Sequence, residues 1–157
     1  MSTCPLILHW PDPDATARCA VALGHSLRPG DVILLGGQVG AGKTHFARAL
    51  IQSLLITPED VPSPTFTLVQ TYDTQSGPLW HADLYRVSVD SEVDELVLLD
   101  AFEEAICLIE WPDRMGSLTP KDALSIEIAP EGEGRIARIT WSDSKWQARL
   151  AGVVQHA

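Results

Sequence analysis

The sequence predicts an α/β fold of three layers, with a central mixed, mostly parallel sheet flanked by helices. Three observations carry this reading. DVILLGG (31–37) and AICLIEW (105–111) are unbroken apolar runs of strand length, the pattern of strands buried on both faces. Segments with helical spacing lie on either side of the first run. ALSIEIAP (123–130) and RIARITWS (135–142) alternate apolar and polar residues and are separated by EGEG. That is the pattern of a hairpin, which makes the sheet mixed.

The elements follow in order. PDPDATARCAVALGHSL (11–27) reads as a helix, with Asp12 able to cap it and Pro13 suited to the first helical position. RPGD makes a turn into DVILLGG. After Lys43, THFARALIQSLLI places Phe46, Ala49, Leu50 and Leu54 at helical spacing. VPSPTF opens an irregular loop, and FTLVQTY is rich in strand formers. PLWHADLYR (78–86) reads as another strand. SEVDELVLL (91–99) begins with a Ser-x-x-Asp capping signature and predicts a short helix. SKWQARLAGVV (144–154) predicts a C-terminal helix.

A chain of 157 residues suits one domain over residues 1–157, and no repeat or low-complexity linker divides it. Eleven basic against 21 acidic residues give a net charge of −10. No window holds a Lys/Arg cluster, which argues against unaided gripping of nucleic acid. Cys4, Cys19 and Cys107 form an odd set without CxxC spacing, against a disulfide framework or a zinc site; Cys107 reads as a small core residue. No stretch approaches the ~18 apolar residues of a membrane span, and the N-terminus lacks a basic signal region. The expected setting is a reducing cytoplasm, with no membrane.

GGQVGAGKTHF (36–46) is the most informative stretch, in a chain with three lysines. Gly37, Gly42, Lys43 and Thr44 complete a phosphate-loop pattern. Glycines let backbone N–H groups curl around phosphate oxygens. The following helix aims its unpaired N–H groups at the same anion. Lys43 would reach the β- and γ-phosphates, and the Thr44 hydroxyl is a hard ligand for Mg²⁺. Average composition gives such a match by chance in roughly one chain of this length in two hundred. A buried strand before it and an amphipathic helix after it add to the case.

Such a loop needs an acid near the metal, at the end of a buried strand. Glu110 closes AICLIE, and a strand parallel to DVILL would bring it to the edge where ligands of open α/β sheets bind. In HADLYR, alternation puts His81, Asp83 and Tyr85 on one strand face. Asp83 is open to several roles: orienting or deprotonating water, holding a metal-bound water, or pairing with Arg86 or His81. A His-x-Asp metal pair is a weaker reading. Thr65, in SPTF, sits where nucleotide-sensing loops lie. Trp111 suits either stacking in the site or core packing. Arg86, Arg114 and Arg135 are candidate phosphate or base contacts, each weighed against plain solvation.

GxxGAGKT, then SPTFTLVxxY, then HxDLYR, then LIEWP resembles the TsaE (YjeE) family over about residues 10 to 140. The resemblance implies a small P-loop NTPase-like ATPase using ATP and Mg²⁺. It implies a role in forming N6-threonylcarbamoyladenosine (t6A37) in tRNAs that read codons starting with A. The implied partners are the transferase TsaD and its companion TsaB, with tRNA met only indirectly and ATP hydrolysis coupled to their turnover. The family's loop falls on Gly40, Ala41, Gly42, Lys43 and Thr44, with His45 next. Its magnesium ligands fall on Thr44 and Glu110, its HxDLYR acid on Asp83, and its loop threonine on Thr65. Its late-hairpin arginine falls on Arg135, after Gly134, as a nucleotide contact.

Two positions depart from the family pattern. Gln38 stands where Asp or Glu is usual, and His45 where Thr or Ser is usual; His45 loses a hydroxyl contact but keeps its backbone N–H. A small-molecule kinase and a non-catalytic nucleotide switch remain alternatives. The scattered arginines speak against the kinase's lid.

Overall fold

The computed structural model describes residues 5–38, 42–57, 61, 69–83, 99–112 and 119–155. Strand β1 spans Leu6–Trp10, helix α1 Pro13–Gly24, β2 Val32–Gly36 and helix α2 Lys43–Leu54. Strands β3 and β4 span Val69–Thr74 and Gly77–Asp83, and β5 spans Ile106–Glu110. Strands β6 and β7 span Leu124–Glu131 and Gly134–Thr140, and the C-terminal helix α3 spans Lys145–Gln155. The seven strands among the described residues join one sheet in the order β1-β7-β6-β2-β5-β4-β3.

The parallel centre is as the apolar runs predict. β2 pairs in parallel with β5 on one side and β6 on the other, and β4 pairs in parallel with β5. Every residue of β2 and β5 is buried, because helices cover both faces of the sheet there. The antiparallel pairs lie outward: β6 with β7, β7 with β1, and β3 with β4.

Alternation along the strands divides the core in two. Ile33, Leu35, Leu79, Ile106 and Leu108 face α1, α2 and α3, where they join Leu23, Phe46, Leu50, Ile51 and Trp146. Val32, Leu34, Ala82, Cys107 and Ile109 face the other way, toward Ala101 and Phe102 of a helical segment at 99–104. At the far end of the sheet from the glycine-rich loop, Asp31 is 2% exposed and binds Arg149 of α3 through two hydrogen bonds, 2.6 and 3.2 Å. Lys145 stands 3.3 Å from the same carboxylate. A carboxylate this deep needs such partners, so the pair pins α3 to the mouth of β2.

α1 starts as expected: Pro13 takes the first turn, and the Asp12 carboxylate accepts from the Ala15 N–H at 2.8 Å. Two features escape the sequence reading. β1 was not anticipated, because only Leu8 and Trp10 of its five residues are buried and its one partner among the described strands, β7, lies about 130 residues on. The helix expected at 91–99 lies outside the described residues apart from Leu99, where the 99–104 segment begins. Among the described residues, no helix is long and apolar enough to cross a membrane.

Cys19 and Cys107 are buried, and burial pushes each thiol from 9.0 up to about 12. The folded pKa is raised, so the neutral thiols' contribution is complete below pH 9 and lost as pH rises toward 12. We expect the denaturant midpoint to fall between pH 9 and 11, and the fall to flatten in a Cys19→Ala/Cys107→Ala variant. Thiol labelling of these two residues at pH 8 should track global unfolding; rapid labelling of the native protein would contradict the burial.

Candidate functional site

The two long N-terminal helices begin differently. α1 is capped by Asp12, whereas α2 begins at Gly42 with no side-chain cap and no acid in its first turn. Gly42 has φ +105, a conformation that side chains rarely adopt, so glycine is needed where the loop turns into the helix. The first N–H groups of α2 therefore face outward unclaimed by a cap, with the positive end of the helix dipole behind them. Lys43, the first residue of α2, is 5% exposed. Its ammonium donates to the Gly37 carbonyl at 2.5 Å and the Gln38 carbonyl at 3.4 Å, and lies 3.5 Å from the centre of the Trp111 ring. The ammonium is thus held by two carbonyls and an aromatic face at the start of α2.

Glu110 lies across from it. On β5 it shares a face with Ile106 and Leu108, the face covered by α2. Its side chain therefore points under the α2 N-terminus and is 2% exposed. Thr44 Oγ1 donates to Oε1 at 2.8 Å, and the His81 ring nitrogen Nε2 donates to Oε2 at 2.7 Å. In the parallel register, Leu35 and Asp83 both stand beside Glu110. The carboxyl ends of β2, β5 and β4 thus gather a glycine turn, two acids and a histidine at one sheet edge. Trp111, the next residue, has φ +60, rare for a bulky side chain; its N–H donates to Leu35 O at 3.3 Å.

His81 is 0% exposed, and its Nδ1 has no hydrogen-bond partner among the described residues. A buried unsatisfied polar atom costs about 1–3 kcal/mol.

A second cleft of about 230 Å³ adjoins the α2 N-terminus. Trp10, Asp12, Gly42, His45, Gly134 and Arg135 line it. His45 Nε2 donates to the Pro13 carbonyl at 3.0 Å, which fixes the ring against α1. A Cβ built on Gly42 would lie 3.9 Å from Arg135 Nε, so the guanidinium stands over the start of α2. This volume is below the about 300–1,000 Å³ of a site for a drug-sized ligand.

Of the residues anticipated from sequence, Gly37, Lys43, Thr44, Glu110 and Asp83 come together at the sheet edge, and His45 and Arg135 line the adjoining cleft. Gly40, Ala41, Thr65, Tyr85, Arg86 and Arg114 lie outside the described residues. The sequence reading missed the bond from His81 to Glu110, since it weighed His81 only with neighbours on its own strand. Trp10 and Asp12 were also missed as cleft residues. Thr44 and Glu110 offer hard oxygens 2.8 Å apart, a donor set that fits Mg²⁺, which takes one or two protein oxygens plus phosphates. Among the described residues no three His, Cys, Asp or Glu side chains group as a metal cage.

Known proteins resemble this chain throughout. A family model described as "Threonylcarbamoyl adenosine biosynthesis protein TsaE" matches residues 10–138. The chain is 37% identical over 123 residues to the Bacillus subtilis (strain 168) protein named tRNA threonylcarbamoyladenosine biosynthesis protein TsaE, covering 78% of this chain and 76% of that protein. It is 40% identical over 123 residues to the Aquifex aeolicus (strain VF5) protein of the same name, covering 77% and 86%. Among solved structures, the crystal structure of Bacillus subtilis YdiB is similar with a TM-score of 0.78 and 28% identity, covering 99% of this chain and 97% of that one.

Gly134 sets the cleft's outer wall. A Cβ there would lie 2.4 Å from the Trp10 carbonyl oxygen and 2.8 Å from Pro11 Cα, both backbone atoms. We expect Gly134→Ala to destabilise the protein by about 1–3 kcal/mol, as overpacking does. Chemical denaturation checks this, and an unchanged midpoint would show that the two strand ends can part freely.

Proposed function

The chain belongs to the TsaE family, and on that premise we propose that it binds and hydrolyses ATP in support of t6A formation in tRNA, acting with TsaD and TsaB. The observation that carries this is the Thr44–Glu110 contact of 2.8 Å beneath the uncapped N-terminus of α2, with the Lys43 ammonium at its mouth.

Each residue has a chemical part in this reading. Backbone N–H groups of Gly40, Ala41, Gly42, Lys43 and Thr44 receive the phosphates, and Gly37 turns the chain into that loop. Lys43 exchanges the carbonyls of Gly37 and Gln38 for the β- and γ-phosphate oxygens. Thr44 and Glu110 hold Mg²⁺, which supplies charge neutralisation along the phosphates when bound. Asp83, beside Glu110 in register, orients the attacking water. Thr65 answers to the γ-phosphate. The cleft of His45 and Arg135 takes the nucleoside end, with the His45 N–H near the α-phosphate.

The acidic balance, −10, supports a division of labour in which the partner proteins hold the tRNA. Charge added to such a site from outside is worth about 10³–10⁵ in rate. A site completed by TsaD–TsaB would be nearly idle alone.

The test is ATP turnover by the protein alone and then with the TsaB–TsaD pair. Low turnover that rises with the pair supports the reading. No stimulation, with phosphate appearing on an added metabolite, replaces it with the kinase.

Two variants probe the residues. Lys43→Ala should abolish ATP binding by calorimetry, and near-normal affinity would sink the phosphate-loop assignment. Glu110→Gln should still bind ATP in EDTA but lose hydrolysis; unchanged turnover would remove Glu110 from the metal site.

A further inference from the structure

We propose that His81 is a positioning residue for the metal: it holds the Glu110 carboxylate in the orientation that Mg²⁺ needs beside Thr44. This rests on the ATP-and-magnesium reading above and adds to it a residue outside the phosphate loop and its acid.

The geometry is specific. His81 sits on β4, Glu110 on β5 and Thr44 on α2, so the three meet only through the fold. Each oxygen of Glu110 receives one donor, Oε1 from Thr44 and Oε2 from His81, at 2.8 and 2.7 Å. A carboxylate held at both oxygens cannot rotate about its terminal bond. When Thr44 turns its oxygen to a metal, its hydroxyl bond to Oε1 is the one exchanged. The His81 bond is then the one that keeps the carboxylate aimed. Partners of this kind fix the direction of a metal ligand.

The burial of His81 argues against a merely structural role. The ring is 0% exposed, donates through Nε2 and leaves Nδ1 without a hydrogen-bond partner among the described residues. An apolar side chain of similar size would fill the same space without an unsatisfied nitrogen. Among the described residues the ring's one hydrogen bond goes to Glu110, and a buried polar group left half-satisfied calls for an explanation, which a task at Glu110 supplies.

The test compares His81→Leu and His81→Gln with the unaltered protein. Leu keeps the volume and removes the donor; the Gln amide nitrogen reaches the place of Nε2 and donates. Three quantities are measured: ATP affinity in EDTA, the Mg²⁺ concentration that half-produces the magnesium-dependent change in ATP affinity, and the melting midpoint.

For His81→Leu we expect an unchanged ATP affinity in EDTA and a requirement for about 10–100-fold more Mg²⁺. His81→Gln should recover most of that loss. An unchanged magnesium requirement in a folded His81→Leu protein overturns the proposal. So does a loss of ATP affinity in EDTA as large as the loss with Mg²⁺, which marks a general packing defect. If His81→Leu does not fold, His81→Asn takes its place; its shorter amide falls short of Glu110, and the same two outcomes decide. Failure of the unaltered protein to bind ATP at all would instead remove the underlying reading.

Discussion

A buried carboxylate has to be answered by donors, and Glu110 is the point where this molecule answers one. Left alone at 2% exposure, it would carry a desolvation penalty of several kcal/mol. Thr44 and His81 meet its two oxygens from different elements. The start of α2, the end of β4 and the end of β5 are thereby tied to one side chain. Moving any of the three would expose a charge to a dry interior, so the same bonds that arrange the site also set the relative placement of its walls.

The sheet makes that meeting possible. Three parallel strands end together, with Leu35 and Asp83 flanking Glu110. Period-two alternation then sends Glu110 and His81 to the α2 side, and Trp111 to the other. The ion pairs around Asp31 hold the opposite end of β2 against α3. β2 is thus anchored at one end by charge and opens at the other into the glycine turn. The sheet lies beneath and the glycine turn above, the arrangement in which a sheet supports a loop at its edge.

Both Lys43 and the α2 N-terminus present positive character to the same small space, in a protein whose total charge is strongly negative. Local field and net charge thus point to different partners. Positive character is gathered at this one place, while the net charge of the chain is of the opposite sign. Trp111, strained at φ +60 beside the lysine, closes the site with an apolar face and strengthens the electrostatics within it.

Much was legible in the sequence because it is written locally. β2, β5, the β6–β7 hairpin, α1 with its Asp12 cap and α2 after Lys43 each follow from spacing within a dozen residues. The glycine turn before α2 and the place of Glu110 follow from motif and strand end. What depended on distant pairing was not legible. β1 is a short, half-exposed strand whose place is decided by β7. The bond from His81 to Glu110 joins residues 29 apart on adjacent strands, and the cleft joins the end of β1, the start of α1 and the β6–β7 turn. By itself the sequence determined the fold class, the glycine turn before α2 and the strand end that carries Glu110, since periodicity and steric freedom act between near neighbours. Only the tertiary structure decided that His81 serves Glu110 and that Arg135 stands over Gly42, because strand register brings those side chains together and register is a property of the whole sheet.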